Sequence, residues 1–335
     1  MLRTLLISAL LTSTALADTW TVDDDGKADF DNIQAAVNAA SDGDEILVMP
    51  GTYTSTQGHV INSLGKSIWL HSLLGSQVTI IDGEFSRRGI GCFNGENSNT
   101  IIEGFTIRDC VNIPFDYDGD GDADEYWDSQ LGGGLIVRYS NPTLKACVFD
   151  SNESSSAGGG GSLFFSDANI LNCEFINNYA DAYGGGLHCY SGNPSLNNCL
   201  FESNSVSIQG LGGALYNAYS NNSIFECIIT KNYKGIYTHS SNSEQDPLLT
   251  NSILCSNSEY QITGDYVDGG GNSITTNCIN QDCPDINGDG YVNVSDLLVV
   301  IDQWGLTDSP ADLNFDGIVD VTDLLIVVGN WGPCE

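Results

Sequence analysis

Basic residues are scarce: Lys and Arg number 10 against 44 Asp and Glu in 335 residues, for a formal net charge of −34. Such a chain repels phosphate backbones and anionic lipid headgroups, which excludes nucleic acid as an expected partner. Long apolar runs are also lacking. Past residue 17 no stretch approaches the roughly 18 apolar residues that cross a bilayer, so no membrane insertion is expected. Through the middle of the chain no 10-residue helical pattern separates the short apolar stretches, which argues against a βαβ sheet. The one apolar run at the start, Leu5 to Leu11, follows Arg3 and precedes Ala15, Leu16 and Ala17. It reads as a signal peptide over residues 1–17, hence a secreted chain beginning near Asp18 with a formal charge of −35 once Arg3 is removed.

The acid is clustered. Asp116 to Asp128 carries 7 of the 44 carboxylates and Asp285 to Asp323 carries 9, in patterns that suit cation ligands. Eleven cysteines in an exported chain suggest disulfides, but the odd count leaves at least one thiol unpaired, and four follow a structural period. Most are expected to be buried apolar residues.

That period appears on aligning Cys147, Phe149 and Asn152 with Cys173, Phe175 and Asn178, with Cys199, Phe201 and Asn204, and with Cys227, Ile229 and Asn232. The Asn positions step by 26, 26 and 28 residues, and Asn257 continues the series with Ser252 in the Cys column. The runs beginning at Gly132, Gly159, Gly184 and Gly212 keep the same step. Cys and Phe two apart share one strand face. Short strands that cannot bury a face alone must stack, so the expected architecture is a solenoid of about 26 residues per turn. The recurring Asn suits an internal amide ladder.

These repeats resemble the FxxN and GGA-type repeats of polymorphic outer-membrane proteins and of exported β-helix proteins of the pectin-lyase-like superfamily. The resemblance implies an all-β, right-handed parallel β-helix over residues 18–280. Phe30 to Ala40, apolar at helical spacing, and Gly43 to Tyr53, a strand ended by a turn, look like the N-terminal capping helix and first strand of pectinesterases and related β-helices. Cys110 falls in the Asn column 42 residues before Asn152, which locates an insertion at 116–130.

Residues 281–335 read as a small α-helical domain with two EF-hand-like calcium loops. Asp285, Asn287, Asp289, Asn293 and Asp296 occupy loop positions 1, 3, 5, 9 and 12, with Gly290 at the sharp turn and the Tyr291 carbonyl at position 7. Asp312, Asn314, Asp316, Ile318, Asp320 and Asp323 repeat the set 27 residues later. Asp116, Asp118, Asp120, Asp122 and Asp124 open a third such loop, which reads as a further calcium site or as a solvated acidic loop. The tandem pair resembles a type I dockerin, a resemblance that implies a cohesin-like scaffold or cell-surface partner met by Val294, Ser295, Val321 and Thr322. The alternative is a calcium-stapled tail with no such partner. A Cys283–Cys334 disulfide would join its ends.

For activity, the superfamily resemblance implies a polysaccharide lyase or glycoside hydrolase, yet no pectinesterase or polygalacturonase catalytic motif is present. Counting outward from the Leu after each Gly run places Ile136, Phe164, His188, Tyr216 and Tyr237 in one column, and Arg138, Ser166, Tyr190, Ala218 and His239 in a second. Rungs about 4.8 Å apart would make a strip able to stack on sugar rings, or one that merely stiffens the sheet. Phe164, His188, Tyr190, Tyr216, Tyr237 and His239 are the carbohydrate-binding candidates, and His188, Tyr216 and Arg138 the catalytic ones. Asp82, Arg87, Arg88 and the Arg108–Asp109 pair are the other ionisable candidates, each read in preference as a solvated turn residue, and His59 and His71 have no motif around them. The expected function is binding or degradation of polysaccharide by a secreted β-helix anchored through its calcium module; the alternative is a non-catalytic surface or adhesion protein.

Overall fold

A computed structural model describes residues 17–112, 131–241, 245–276, 278, 284–287, 289–307, 309–314 and 318–333. Three parallel sheets wind around one core. The first has ten strands, from Thr19–Val22 to Val267–Asp268; the second nine, from Gly51–Tyr53 to Ser273–Ile274; the third eight, from His59–Asn62 to Ile262–Thr263. Strands follow one another in rung order in every sheet, which makes a parallel solenoid of about nine turns.

The repeat positions explain the coil. Phe149, Phe175 and Phe201 stack in the core with ring centroids 4.9 and 4.8 Å apart. The expected Cys column is present: Cys147, Cys173, Cys199 and Cys227 are buried free thiols, each donating to the carbonyl two residues earlier at 3.4 Å. At the next corner Asn152, Asn178, Asn204, Asn232 and Asn257 form the ladder. Each Nδ2 in the first four donates to the following Oδ1 at 2.8–3.0 Å. Cys110 does stand in this column, its N–H donating to Asn152 Oδ1 at 3.0 Å.

Glycine runs mark where two turns of backbone nearly touch. A Cβ on Gly159 would lie 2.2 Å from the Tyr179 carbonyl oxygen, and one on Gly185 2.2 Å from that of Ser205. Between the first and second sheets the corner is one left-handed residue, Ala146, Asn172, Asn198 or Glu226 (φ 50–53°), a conformation that costs about 1–2 kcal/mol outside glycine. A disulfide joins Cys255 to Cys278 near the last rungs, a pairing the repeat alone did not suggest. Cys283, Cys334 and the 116–130 insertion lie outside the described residues, as do residues 1–16.

Helix α1, Ile33–Ala39, begins at Asn32, whose side chain accepts from the Ala35 N–H, and buries Ile33, Ala36 and Val37 in the core of the first turns. Lys66 Nζ donates to the Val37, Asn38 and Ala40 carbonyls at 2.6–2.9 Å, satisfying acceptors that a helix end leaves open. The C-terminal module has its own core of Val292, Val300, Ala311, Leu313, Val319 and Val327. Its helices α2, Val294–Asp302, and α3, Val321–Gly329, each start with a capping box, Asn293 with Asp296 and Asp320 with Asp323.

Candidate functional site

The outer face of the third sheet gathers most of the aromatic candidates, but in a corrected register. Pairing aligns Ile136, Ser162, His188, Tyr216 and Tyr237 in one column and Arg138, Phe164, Tyr190, Ala218 and His239 in the other. Phe164 therefore belongs to the second column, and Ser166 to neither. Gly161 takes the place that Leu135, Leu187 and Leu215 fill in neighbouring rungs, so counting from Leu163 overshoots by two.

Ile136 is only 2% exposed, clustered with Leu131 and Ala157 beneath Phe93 and Phe164. His188 is 5% exposed. Its Nδ1 pairs with Ser162 Oγ at 3.0 Å, and its ring lies 5.6 Å from that of Tyr216. Burial lowers its pKa to about 4, so the ring is neutral near pH 7. Tyr216 is stacked on Tyr237 at 5.6 Å and 1° and lies 4.5 Å from Tyr183; burial pushes its phenol up to about 12. In the second column Tyr190 stacks on Phe164 at 4.9 Å, and His239 Nε2 meets the Tyr219 hydroxyl at 2.8 Å.

The three catalytic candidates do not converge. His188 and Tyr216 are adjacent, while Arg138 stands two rungs from His188 in the other column, about 10 Å along the coil, with its guanidinium 5.2 Å from the Tyr139 ring. The two columns hold no carboxylate. Sequence reasoning missed Tyr139, Phe165 and Tyr219, which follow Arg138, Phe164 and Ala218 in the left-handed conformation (φ 48–52°) and widen the aromatic face. Their common offset from the second column was the available signal.

Elsewhere, Asp82 bonds Arg108 at 3.0 Å, Asp109 stands 3.6 Å from the same guanidinium, and Arg87 pairs with Glu84. Arg88 corrects expectation: it is a fully buried strand residue whose Nε donates to the Leu131 and Gly132 carbonyls at 3.2 and 3.1 Å. His59 is buried 5.4 Å from the Phe93 ring, and burial, then the Arg88 charge, lowers its pKa to about 3.

In the C-terminal module the loop carboxylates fold onto their own backbone. Asp285 accepts from the Asp289 and Gly290 N–H groups at 3.1 and 2.6 Å. Asn287 accepts from Asp289 N–H, and Asp289 from Tyr291 N–H. The fully buried Asp296 accepts from Asn287 and Asn293 N–H at 3.1 and 2.9 Å. Asp323, its equivalent, accepts from Leu313, Asn314 and Asp320 N–H. Asp316 and the residues from Asp116 to Asp124 lie outside the described residues. Among the described residues no three His, Cys, Asp or Glu side chains stand grouped as a metal site. The donor types of both loops, oxygen throughout, nevertheless suit a hard cation such as calcium.

Residues 124–254 match the family described as the right-handed beta helix region, and residues 283–330 match the dockerin type I domain. The chain carries a right-handed β-helix and a type I dockerin domain. Solved structures similar to it include a pectate lyase, Pel9A, at 16% identity over 82% of this chain and 84% of that one, with a TM-score of 0.43. Another is pectin methylesterase from carrot, at 13% identity over 72% and 84%, with a TM-score of 0.36. No curated protein sequence matches the chain. Among the described residues no helix is long and apolar enough to cross a membrane. On the dockerin domain Val294 and Val321 are 56% and 52% exposed. Ser295 N–H is held by Asn293 Oδ1, and the Thr322 hydroxyl donates to Asp320 Oδ1 at 2.7 Å. Leu298 and Leu325, Ile301 and Val328, and Trp304 and Trp331 extend the two exposed stripes at the same 27-residue offset.

Proposed function

We propose that this is an exported polysaccharide-binding β-helix, tethered through its dockerin domain to a cohesin-like scaffold or cell-surface partner. The observation that carries the reading is the third-sheet face, where Tyr237, Tyr216, Tyr190 and Phe164 present rings stacked along the coil axis. Rungs about 4.8 Å apart repeat at roughly the scale of a sugar unit, so one chain can lie along several rungs. Calcium, held by the oxygen ligands of the two dockerin loops, orders the anchoring domain. Val294, Ser295, Val321 and Thr322 meet the partner.

Binding is favoured over cleavage because His188 is buried and neutral and Arg138 is two rungs away. The same observation supports the second reading, a non-catalytic adhesion protein. A polysaccharide panel tests both, with retention, reducing ends and unsaturated-product absorbance read together, with and without calcium. The Tyr190→Ala/Tyr216→Ala variant is expected to lose at least about tenfold in retention. Retention equal to the parent removes the third-sheet strip as the sugar-binding surface, and calcium-dependent product formation replaces binding by cleavage.

A further inference from the structure

A second constellation lies on the outer face of the first sheet. Trp69 is 41% exposed, although its ring is held on two sides. One face stacks on His71, with centroids 3.9 Å apart and planes 11° from parallel. The indole N–H donates to Glu103 Oε2 at 3.1 Å. His71 Nε2 meets Glu45 Oε1 at 2.8 Å, Glu45 also accepts from the Thr19 hydroxyl at 2.8 Å, and Glu103 pairs with Lys145 at 2.8 Å. Strand pairing sets Glu45 one rung to one side of Trp69 and Glu103 one rung to the other. The hydrogen bonds from Thr19 and then His71 hold the Glu45 carboxyl below its ordinary pKa, so it is ionised at neutral pH.

An exposed indole costs free energy in water, and fixing both its stacking partner and its N–H removes the mobility that would lessen that cost. A flat apolar ring flanked by fixed acceptors matches a sugar ring, whose C–H face is apolar and whose hydroxyls donate at the rim. The flanking charges select among sugars. Lys145 offsets the Glu103 charge, so the Glu45 carboxylate carries the repulsion toward a uronate, while the oxygens of both carboxylates accept readily from uncharged hydroxyls.

We propose that Trp69, flanked by Glu45, His71 and Glu103, is a second glycan subsite, built for an uncharged pyranose and set against polyuronate. It lies on a different sheet from the aromatic strip and needs neither that strip nor the dockerin domain.

The test uses the full chain in the Tyr190→Ala/Tyr216→Ala background, so that loss of the strip and loss of this subsite are read separately. Neutral hexasaccharides of the cellulose, xylan, mannan and galactan types, with hexagalacturonate as the charged comparison, are titrated against intrinsic tryptophan fluorescence and heat. At least one neutral hexasaccharide is expected to bind more tightly than hexagalacturonate. Adding Trp69→Ala is expected to weaken it about tenfold, whereas Trp69→Phe, which keeps a ring, stays within about threefold. Glu103→Gln, which keeps an acceptor for the indole, is expected to retain neutral binding and narrow the gap to hexagalacturonate. No neutral binding in this background, an unchanged affinity in Trp69→Ala, or tighter binding of hexagalacturonate each overturns the proposal. Should Trp69→Ala fail to fold, Trp69→Leu, which keeps apolar bulk and loses the ring face, is read in its place with the same expected loss of about tenfold.

Discussion

Replacing Asn178 with Ala tests the ladder that joins the rungs. Its amide makes four hydrogen bonds: Nδ2 donates to Phe149 O at 2.8 Å and to Asn204 Oδ1 at 3.0 Å, and Oδ1 accepts from Asn152 N–H and Nδ2, both at 3.0 Å. Two of the groups touched keep another partner: Asn152 Nδ2 retains Ile107 O at 2.9 Å and Asn204 Oδ1 retains the Asn178 N–H at 3.0 Å. The Asn152 backbone N–H loses its acceptor in a site with no exposure. One orphaned buried donor costs about 1–3 kcal/mol, and the remaining lost bonds about 0.5–1.5 kcal/mol each. The sum is roughly 5 kcal/mol, a large share of the roughly 5–15 kcal/mol that holds a domain folded. Cys173→Ala, one column away and equally buried, gives up one weak S–H bond to Leu171 O at 3.4 Å and a small volume, for about 1 kcal/mol. Because a solenoid couples mainly through neighbouring rungs, the loss should appear as local opening. Amide hydrogen exchange is therefore the assay, with the urea midpoint beside it: Asn152 should lose protection far more in Asn178→Ala than in Cys173→Ala. Equal loss in the two variants would refute the reasoning.

Acid should weaken the coil through His188. Its folded pKa of about 4 lies below the ordinary histidine value of 6.5, so the unfolded chain takes up the proton first, and stability falls as pH drops from about 6.5 to about 4, then levels. A shift of that size corresponds to about 3 kcal/mol across the window. Urea midpoints at several pH values should show a shallower acid slope in His188→Phe than in the parent, with His59 supplying part of what remains; identical slopes would discount the buried imidazole. Removing calcium with a chelator should unfold the dockerin domain, whose loop carboxylates must otherwise sit together uncompensated, and leave the β-helix intact. Calorimetry should show one transition lost and the other unmoved, whereas two unaffected transitions would mean the domain stands without metal.

The solenoid was legible because its positions carry chemistry that repeats. A Phe in the core, an Asn that must bond its neighbour and a Gly where backbones touch all recur at about one step. Register on the third sheet was less legible. A single Leu served as the ruler, and Gly161 holds its place in one rung, which misplaced Phe164 by two residues. The first-sheet constellation was hidden because the early turns are unequal: Glu45 to Trp69, His71 to Glu103 and Glu103 to Lys145 are steps of 24, 32 and 42 residues. No fixed period aligns those five side chains.

From sequence alone came the winding, the Asn and Cys columns, and the paired loops of the dockerin domain, since each depends on residue type at a fixed interval. Tertiary structure alone decided which outward residues meet solvent. Pointing away from the core exposes a side chain only when no neighbour covers it. Tyr183, Tyr190 and Tyr216 surround His188, while Glu103 and His71 hold Trp69 with its ring still open to water.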